Sequence, residues 1–370
     1  MRLAVYNVEN LFDRAKVMNL ATWSDGKAIL EDFAALSDLL GQPSYDAAAK
    51  SRMVALLIKF GLEKQDLGPF VILRRNRGGL LARPRSGGLT ITAGGRADWV
   101  GSFELRDEPI NHAAVRNTAR VIQEVGADVL AVVEAENRPS LSDFNQIMLP
   151  DVGGTPYRHV MVIDGNDTRG IDVGLASVGS CPIGRLRSHV DDRDAGGNLI
   201  FSRDCPEFEV ATPSGVTLTV LVNHLKSKGY GGAAASAARR KLQAARVAAI
   251  YQALIADGQH HVAVVGDLND TPDSDALSPL LVHTDLKDIS VHPQFDDGGF
   301  PGTFGGSGAG NKIDYILLSP AVFALVQKAG VFRKGMWPGV RPRKWDAFDT
   351  LTRAEEAASD HAALWVDLNL

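Results

Sequence analysis

Cysteine is almost absent from this chain of 370 residues. Cys181 and Cys205, its only two, stand too far apart for a metal-binding pair and are too few for a disulfide framework, so two reduced thiols are expected. No apolar stretch reaches membrane-spanning length. Met1-Arg2-Leu3 runs straight into a strand-like segment, leaving no room for the basic region and apolar core of a secretion signal, so a cytoplasmic protein is expected. Low-complexity tracts, coiled-coil heptads and repeats of solenoid period are missing too. Positive charge is not in excess: a net charge of -5 argues against a surface that attracts nucleic acid everywhere, although a local basic stripe would be hidden in that sum. What is present, 45% hydrophobic and 22% charged residues, is the composition of a soluble globular protein long enough to bury a sizeable core.

Apolar runs and turn signals place the elements. Leu3 to Val8 reads as a strand. Ala28 to Leu40 and Asp46 to Phe60 carry helical spacing, with Gly41 and Gly61 as stops, and Val71 to Leu105 turns to short β-like runs separated by Gly and Arg. Asn111 to Val125 is an amphipathic helix capped by Asn111 and ended by Gly126. Strands are expected at Asp128 to Val133, Tyr157 to Ile163, Ile171 to Val178, Ile183 to Val190, Leu199 to Ser202, Glu207 to Ala211 and Val216 to Val222. An Ala-rich helix spans Ala233 to Ala256, and further strands lie at Val262 to Val265, Ile313 to Leu318 and Ala362 to Leu368, with a basic loop from Arg333 to Lys344. Many strands, few long helices and no internal linker imply an α/β sandwich of two packed sheets with helices outside. A single domain over residues 1–370 is expected, with Arg14 to Pro109 as an insertion after the first strand.

Five polar motifs end apolar runs: Tyr6-Asn7-Val8-Glu9-Asn10, Val133-Glu134, Asn223-His224, Gly266-Asp267-Leu268-Asn269 and Ser359-Asp360-His361. Such groups are costly to bury unless paired or metal-bound, so the strand tips are expected to converge on one site. Carboxylates, carboxamides and imidazoles without cysteine suit a hard cation and a phosphoryl group. Each motif also has a plainer reading. A lone Glu at a strand end is usually a solvated terminus, and Glu136 rivals Glu134 for the same role. Asn7 and Glu9 would share a strand face by the period of two. His224 is readable as a satisfied core histidine, although Lys226 and Lys228 behind it favour an anion. The Gly266 motif is the most specific, because glycine permits the tight turn that aims Asp267 and Asn269 at one point. Asp314, charged within an apolar strand, needs a partner, and a histidine is the obvious one.

In order and spacing, these motifs together with Lys312 to Ser319 closely resemble the endonuclease/exonuclease/phosphatase superfamily, which includes pancreatic-type deoxyribonucleases, abasic-site endonucleases, inositol-polyphosphate 5-phosphatases and neutral sphingomyelinases. The resemblance spans Leu3 to Val8 and Asn111 to the C-terminus. It implies a four-layer α-β-β-α sandwich, two mixed sheets flanked by helices. It implies further that Asn7, Glu134 and Asp360 surround a divalent ion with Glu9 nearby, that Asp267 and Asn269 position and activate water, that His224 donates to the scissile phosphate, and that His361 pairs with Asp314. Arg169, in Arg169-Gly170-Ile171-Asp172, and Lys226 are the expected substrate-binding residues. Mg²⁺, with Mn²⁺ as substitute, fits two carboxylates better than zinc does.

A nuclease leaving a 5′-phosphate is the first function expected, and a phosphatase or phosphodiesterase on a small or lipid-headgroup phosphate the alternative. A binding module that keeps only the fold is disfavoured by the intact motif residues. Arg74-Arg75-Asn76-Arg77, Arg83, Arg85, Arg96, Arg239-Arg240-Lys241 and the loop from Arg333 to Lys344 would form a track for a polyanion if they line the cleft, with Trp99, Trp337 and Trp345 available to stack bases.

Overall fold

The computed structural model describes every residue except 21–22, 86, 168, 229–231 and 341–342. The chain forms two compact units, one of Met1–Phe12, Ile110–Lys228 and Gly232–Leu370, the other of Asp13–Pro109.

The first unit is a four-layer α-β-β-α sandwich. Its strands are β1 (Arg2–Asn7), β2 (Val129–Ala135), β3 (His159–Ile163), β4 (Asp172–Ser177), β5 (Ile183–Arg187), β6 (Glu207–Ala211), β7 (Thr217–His224), β8 (Val262–Asp267), β9 (Lys287–Asp288), β10 (Phe295–Asp296), β11 (Asp314–Leu318), β12 (Val326–Phe332) and β13 (Ala363–Leu368). One sheet runs β10-β12-β13-β1-β2-β4-β3 and the other β5-β6-β7-β8-β11-β9. The central pair of each, β1 with β2 and β7 with β8, is parallel and lies among antiparallel neighbours, and the edge strand β10 also runs parallel to β12. Alternation builds the layers. Leu3 and Val5 of β1 face the inter-sheet core with Val129, Ala131, Val220 and Val265, whereas Ala4 and Tyr6 face the helix α1 (His112–Val125) with Leu130 and Val132. On the far side, Val264 and Leu317 pack against Ala244, Val247 and Tyr251 of α2 (Ala233–Ala256). A one-residue slip would turn every one of these apolar sets to the wrong layer, which holds the register.

Local signals explain the helix ends. The Asn111 side chain accepts a hydrogen bond from the Ala113 N–H, and Gly126, left-handed at φ 59°, returns its own N–H to the Ile122 carbonyl. One expectation needs correction. Leu199 to Ser202 is not a strand but a loop with one isolated bridge from Leu199 to Arg193, because Ile200 and Phe201 pack singly into the core beneath α2. The strand β12, by contrast, escaped the sequence reading, since Gln327 and Lys328 interrupt its apolar run on an exposed stretch.

Among its described residues the second unit holds two α-helices, Trp23–Leu40 and Ala47–Lys59, and three two-stranded sheets, one of them Val71–Gly78 paired with Trp99–Leu105. It has its own core, including Leu36, Met53, Leu57, Leu62 and Val71. Asp46 caps the second helix through the Ala49 N–H.

Candidate active site

Three neighbouring strands deliver one polar residue each in register: His224 opposite Asp267, and Asp267 opposite Asp314. All three are nearly inaccessible. The close approach of β8 to β7 depends on Gly266, whose φ of 139° and whose position, where a Cβ would lie 1.9 Å from the Asn223 carbonyl oxygen, exclude any side chain. The other sheet contributes Asn7 and Glu134 from β1 and β2. Glu134 adopts φ 65° at a bulge, where Asp172 of β4 pairs with Ala135 and Val173 with Val133. Bulges re-aim a side chain, and this one carries Glu134 to His224, 3.5 Å away.

The contacts form an unbroken series. Glu134 Oε1 lies 3.5 Å from His224 Nε2, His224 Nε2 3.8 Å from Asp267 Oδ2, Asp267 Oδ2 3.8 Å from His361 Nε2, and His361 Nε2 3.7 Å from Asp360 Oδ1. The Asn7 carboxamide nitrogen reaches both Asp267 Oδ2 (3.3 Å) and His361 Nε2 (3.4 Å). His361 Nδ1 is held 2.9 Å from Asp314 Oδ2, as expected for the needy carboxylate. Asn269, left-handed at φ 57°, donates its backbone N–H to Asp267 Oδ1 (2.8 Å) and its carboxamide to the Leu225 carbonyl (3.1 Å). The motifs scattered along the chain therefore meet at one end of the sandwich.

Glu9 arrives by a different route from that expected. β1 stops at Asn7, whose side chain accepts the Glu9 N–H (3.0 Å), and Glu9 and Asn10 turn left-handed at φ 53° and 67°. Strand alternation does not apply there. Glu9 instead accepts the Asp360 backbone N–H (3.1 Å). Glu136, the rival of Glu134, is turned to the backbone: its Oε1 accepts the N–H groups of Leu11 and Phe12 at 2.9 and 2.7 Å.

Burial and charge set the protonation. Burial, and then the Asp314 carboxylate, push Asp267 well above the usual carboxylate range. Burial works to lower His361, but the adjoining Asp314 outweighs it and raises the imidazole well above its ordinary value. Burial, followed by the Arg203 and Arg169 guanidiniums, drives His224 well below its ordinary value. Arg169 is bonded through two nitrogens to Asp167 (2.9 and 2.6 Å), and Lys226 is pushed down to about 8 by burial and by Arg169 and Arg203.

Ligand-type atoms of Asp267, Asp314 and His361 lie within 4.8 Å of one another, close enough for a cation. The hydrogen bonds from Thr303 Oγ1 (2.6 Å) and His361 to Asp314 already join that trio. Asn7, Glu9, Glu134 and Asp360 offer hard oxygen donors without sulfur, and Glu134 is among the charges that raise Asp267, so a divalent cation there would relieve the crowding of acids. The donor set fits such an ion. Thr303 and Phe304, whose ring centroid lies 4.9 Å from that of His361, were not read from the sequence, because a loop threonine and phenylalanine carry no distinguishing signal.

Part of the proposed basic track is balanced by acids. Arg74 pairs with Glu104, Arg75 and Arg83 with Asp66, and Lys241 with Asp275. Trp99 is a core residue whose indole N–H donates to Tyr45, and Trp337 packs against the helix-side core of the first unit. Trp99 is therefore withdrawn from base stacking, whereas Trp337 is half-buried. Arg333 is buried on the carbonyls of Asp297, Phe300 and Gly302, and Arg341 of the basic loop lies outside the described residues.

Residues 100–361 match the sequence profile of the Endonuclease/Exonuclease/phosphatase family. Among solved structures, a protein of that family from Bacteroides thetaiotaomicron is 17% identical with a TM-score of 0.50, over 69% of this chain and 88% of that one. A mannosyl-6-phosphatase from Bacteroides thetaiotaomicron is 16% identical with a TM-score of 0.51, over 70% and 92%. The human Nocturnin catalytic domain is 18% identical with a TM-score of 0.48, over 70% and 87%. At these identities the likeness concerns the fold. No curated protein matches the chain.

Proposed function

The chain belongs to the Endonuclease/Exonuclease/phosphatase family, and from that premise we propose that it is a divalent-metal-dependent phosphoesterase acting at the strand tips that carry His224, Asp267, Asn269, Asp314 and His361. The observation that carries this reading is the series from Glu134 through His224, Asp267 and His361 to Asp360, in which no step exceeds 3.8 Å. Asp267, buried and with raised proton affinity, takes the proton of an attacking water that Asn269 helps to orient. His361, steadied through Nδ1 by Asp314, turns Nε2 and its positive charge towards the phosphoryl oxygens. His224 donates a hydrogen bond from Nε2, and Arg169 and Lys226 supply positive charge on its side of the site. Asn7, Glu134 and Asp360 would hold the ion; Mg²⁺, or Mn²⁺ in its place, supplies a Lewis acid when bound.

Within this class a nucleic acid is placed first. Lys344 donates to the Gly306 carbonyl, Gly305 donates to that of Asp360, and Trp345 stacks edge-on with Phe300, which puts a cation and an indole on the loop beside the site. A small phosphate ester is the second reading, favoured by the pairing of Arg74, Arg75 and Arg83 with acids and by the fold shared with a mannosyl-6-phosphatase. We place the protein in the cytoplasm and regard Asp13–Pro109 as an insertion in one catalytic domain. Incubation with plasmid, single-stranded DNA and RNA, beside sugar and inositol phosphates, in Mg²⁺, Mn²⁺ or EDTA tests both levels. Cleavage of nucleic acid that EDTA abolishes is expected. Turnover of only a small ester replaces the nuclease reading, and inertness towards every ester removes the phosphoesterase.

A further inference from the structure

The loops that follow His224 and Asp267 are tied together by one buried cation. Arg240 of α2 is 3% exposed, and its guanidinium reaches both: Nη1 donates to the Lys226 carbonyl (2.6 Å), while Nε and Nη2 engage Asp270 Oδ2 at 2.9 and 2.7 Å. One turn further along the helix, Gln243 Oε1 accepts the Lys226 N–H (2.8 Å), and its amide donates to the Ile200 carbonyl (3.1 Å). Both main-chain polar groups of Lys226 are thus gripped by the helix. Lys226 is two residues from His224, and Asp270 follows Asn269.

Other contacts reinforce the tie, among them the exposed Lys228, whose ammonium pairs with Asp270 Oδ1 from the loop after His224. The Asn269 carboxamide donates to Leu225, the Leu225 N–H to the Asp267 carbonyl (2.9 Å), and the Tyr315 hydroxyl to the Asp270 carbonyl (2.8 Å). Asn269 holds a left-handed conformation, which asparagine tolerates better than most side chains, and these bonds fix it there. An arginine suits the position, because its planar fork spans a carbonyl and a carboxylate at once, whereas a lysine ammonium is a single point of charge.

We propose that Arg240 is a positioning residue that couples the loop after His224 to the loop after Asp267, and thereby sets the alignment of His224 with Asp267 and Asn269. The catalytic part of this inference rests on the phosphoesterase reading; the coupling itself does not. A merely structural ion pair would lower stability and leave the turnover of folded molecules alone. Alignment, by contrast, governs kcat.

Arg240→Lys and Asp270→Asn are compared with the wild type by backbone hydrogen exchange, thermal melting, and hydrolysis of bis(p-nitrophenyl) phosphate with Mn²⁺. The expected result is faster exchange over residues 224–228 and 268–271 together, and a kcat per folded molecule lowered by about 10²-fold at most, with KM little changed. Protection lost in only one segment, or in neither, overturns the coupling. Wild-type kcat in both variants overturns the positioning role. Should Arg240→Lys fail to fold, Asp270→Asn carries both measurements beside Lys228→Gln, which removes the second cation on that carboxylate and leaves Arg240 in place; a change in Lys228→Gln as large as in Asp270→Asn overturns the role of Arg240. A wild-type enzyme inert on the ester defeats the phosphoesterase reading, and the exchange data still decide the coupling.

Discussion

The two units treat polar residues in opposite ways. In the first, Asn7, His224, Asp267, Asp314 and His361 are buried together, with Asn7 bonded to Asp267 and His361, and His361 to Asp314; left-handed backbone appears at Glu9, Asn10, Glu134 and Asn269 beside them and at Ser307. In the second, among the described residues, left-handed backbone is confined to glycines such as Gly61 and Gly78, and charged side chains pair near the surface, as Asp66 does with Arg75 and Arg83. Strain and buried polarity lower stability and persist only where the surrounding fold enforces them. Their concentration in one unit separates the part built for chemistry from the part built for packing.

The largest effect expected of this contrast is on rate. Asp267→Ala or His361→Ala should lower kcat by ~10²- to 10⁴-fold while the protein still melts cooperatively. Wild-type turnover in either variant would remove the residue from its role and blur the distinction between the units. Glu134→Gln should act through the ion, raising the half-saturating Mg²⁺ concentration; an unchanged titration would reassign Glu134 to the backbone bulge alone.

A pH effect on stability comes next. Burial pushes Asp172 up to about 6, with Asp164 and Asp167 adding to it beyond a hydrogen bond from the Gly165 N–H. Because the folded protein holds this proton more tightly than the unfolded chain, the group costs stability as pH rises through the window from about 4 to about 6. Asp172→Asn, which can still accept the Gly165 N–H, should therefore show a stability gain that grows across that window and levels off above it, reaching roughly 1–3 kcal/mol. Denaturant titrations at pH 4 and 7 that give the same difference between variant and wild type would refute it. The smallest effect belongs to the second unit: Asp66→Asn breaks only partly exposed pairs and should cost less than about 1 kcal/mol, with turnover untouched. A large loss of turnover there would draw the second unit into the chemistry.

Most of the first unit was legible in the sequence because its signals are local. Asn111 and Gly126 bracket their helix, apolar alternation marks β1, β2, β7 and β8, and each motif closes a buried run. The readings that failed depended on context. Glu9 looked like a strand partner of Asn7 until the chain turned left-handed after β1, and Trp99 looked like a stacking surface until its core closed around it. Leu199 to Ser202 and β12 show the same limit: apolar residues can enter a core from a loop, and a strand with polar residues on its exposed stretch has no continuous run.

Composition, spacing and turn residues were enough to determine the elements, their apolar faces and which polar groups stand at strand ends, because periodicity and capping act over a few neighbouring residues. Only the tertiary structure decided that His224, Asp267 and Asp314 stand side by side in register, that His361 takes Asp314, and that Arg240 ties two loops from beneath. These relations join residues tens to hundreds of positions apart. Distance along the chain carries no record of them until the strands have paired.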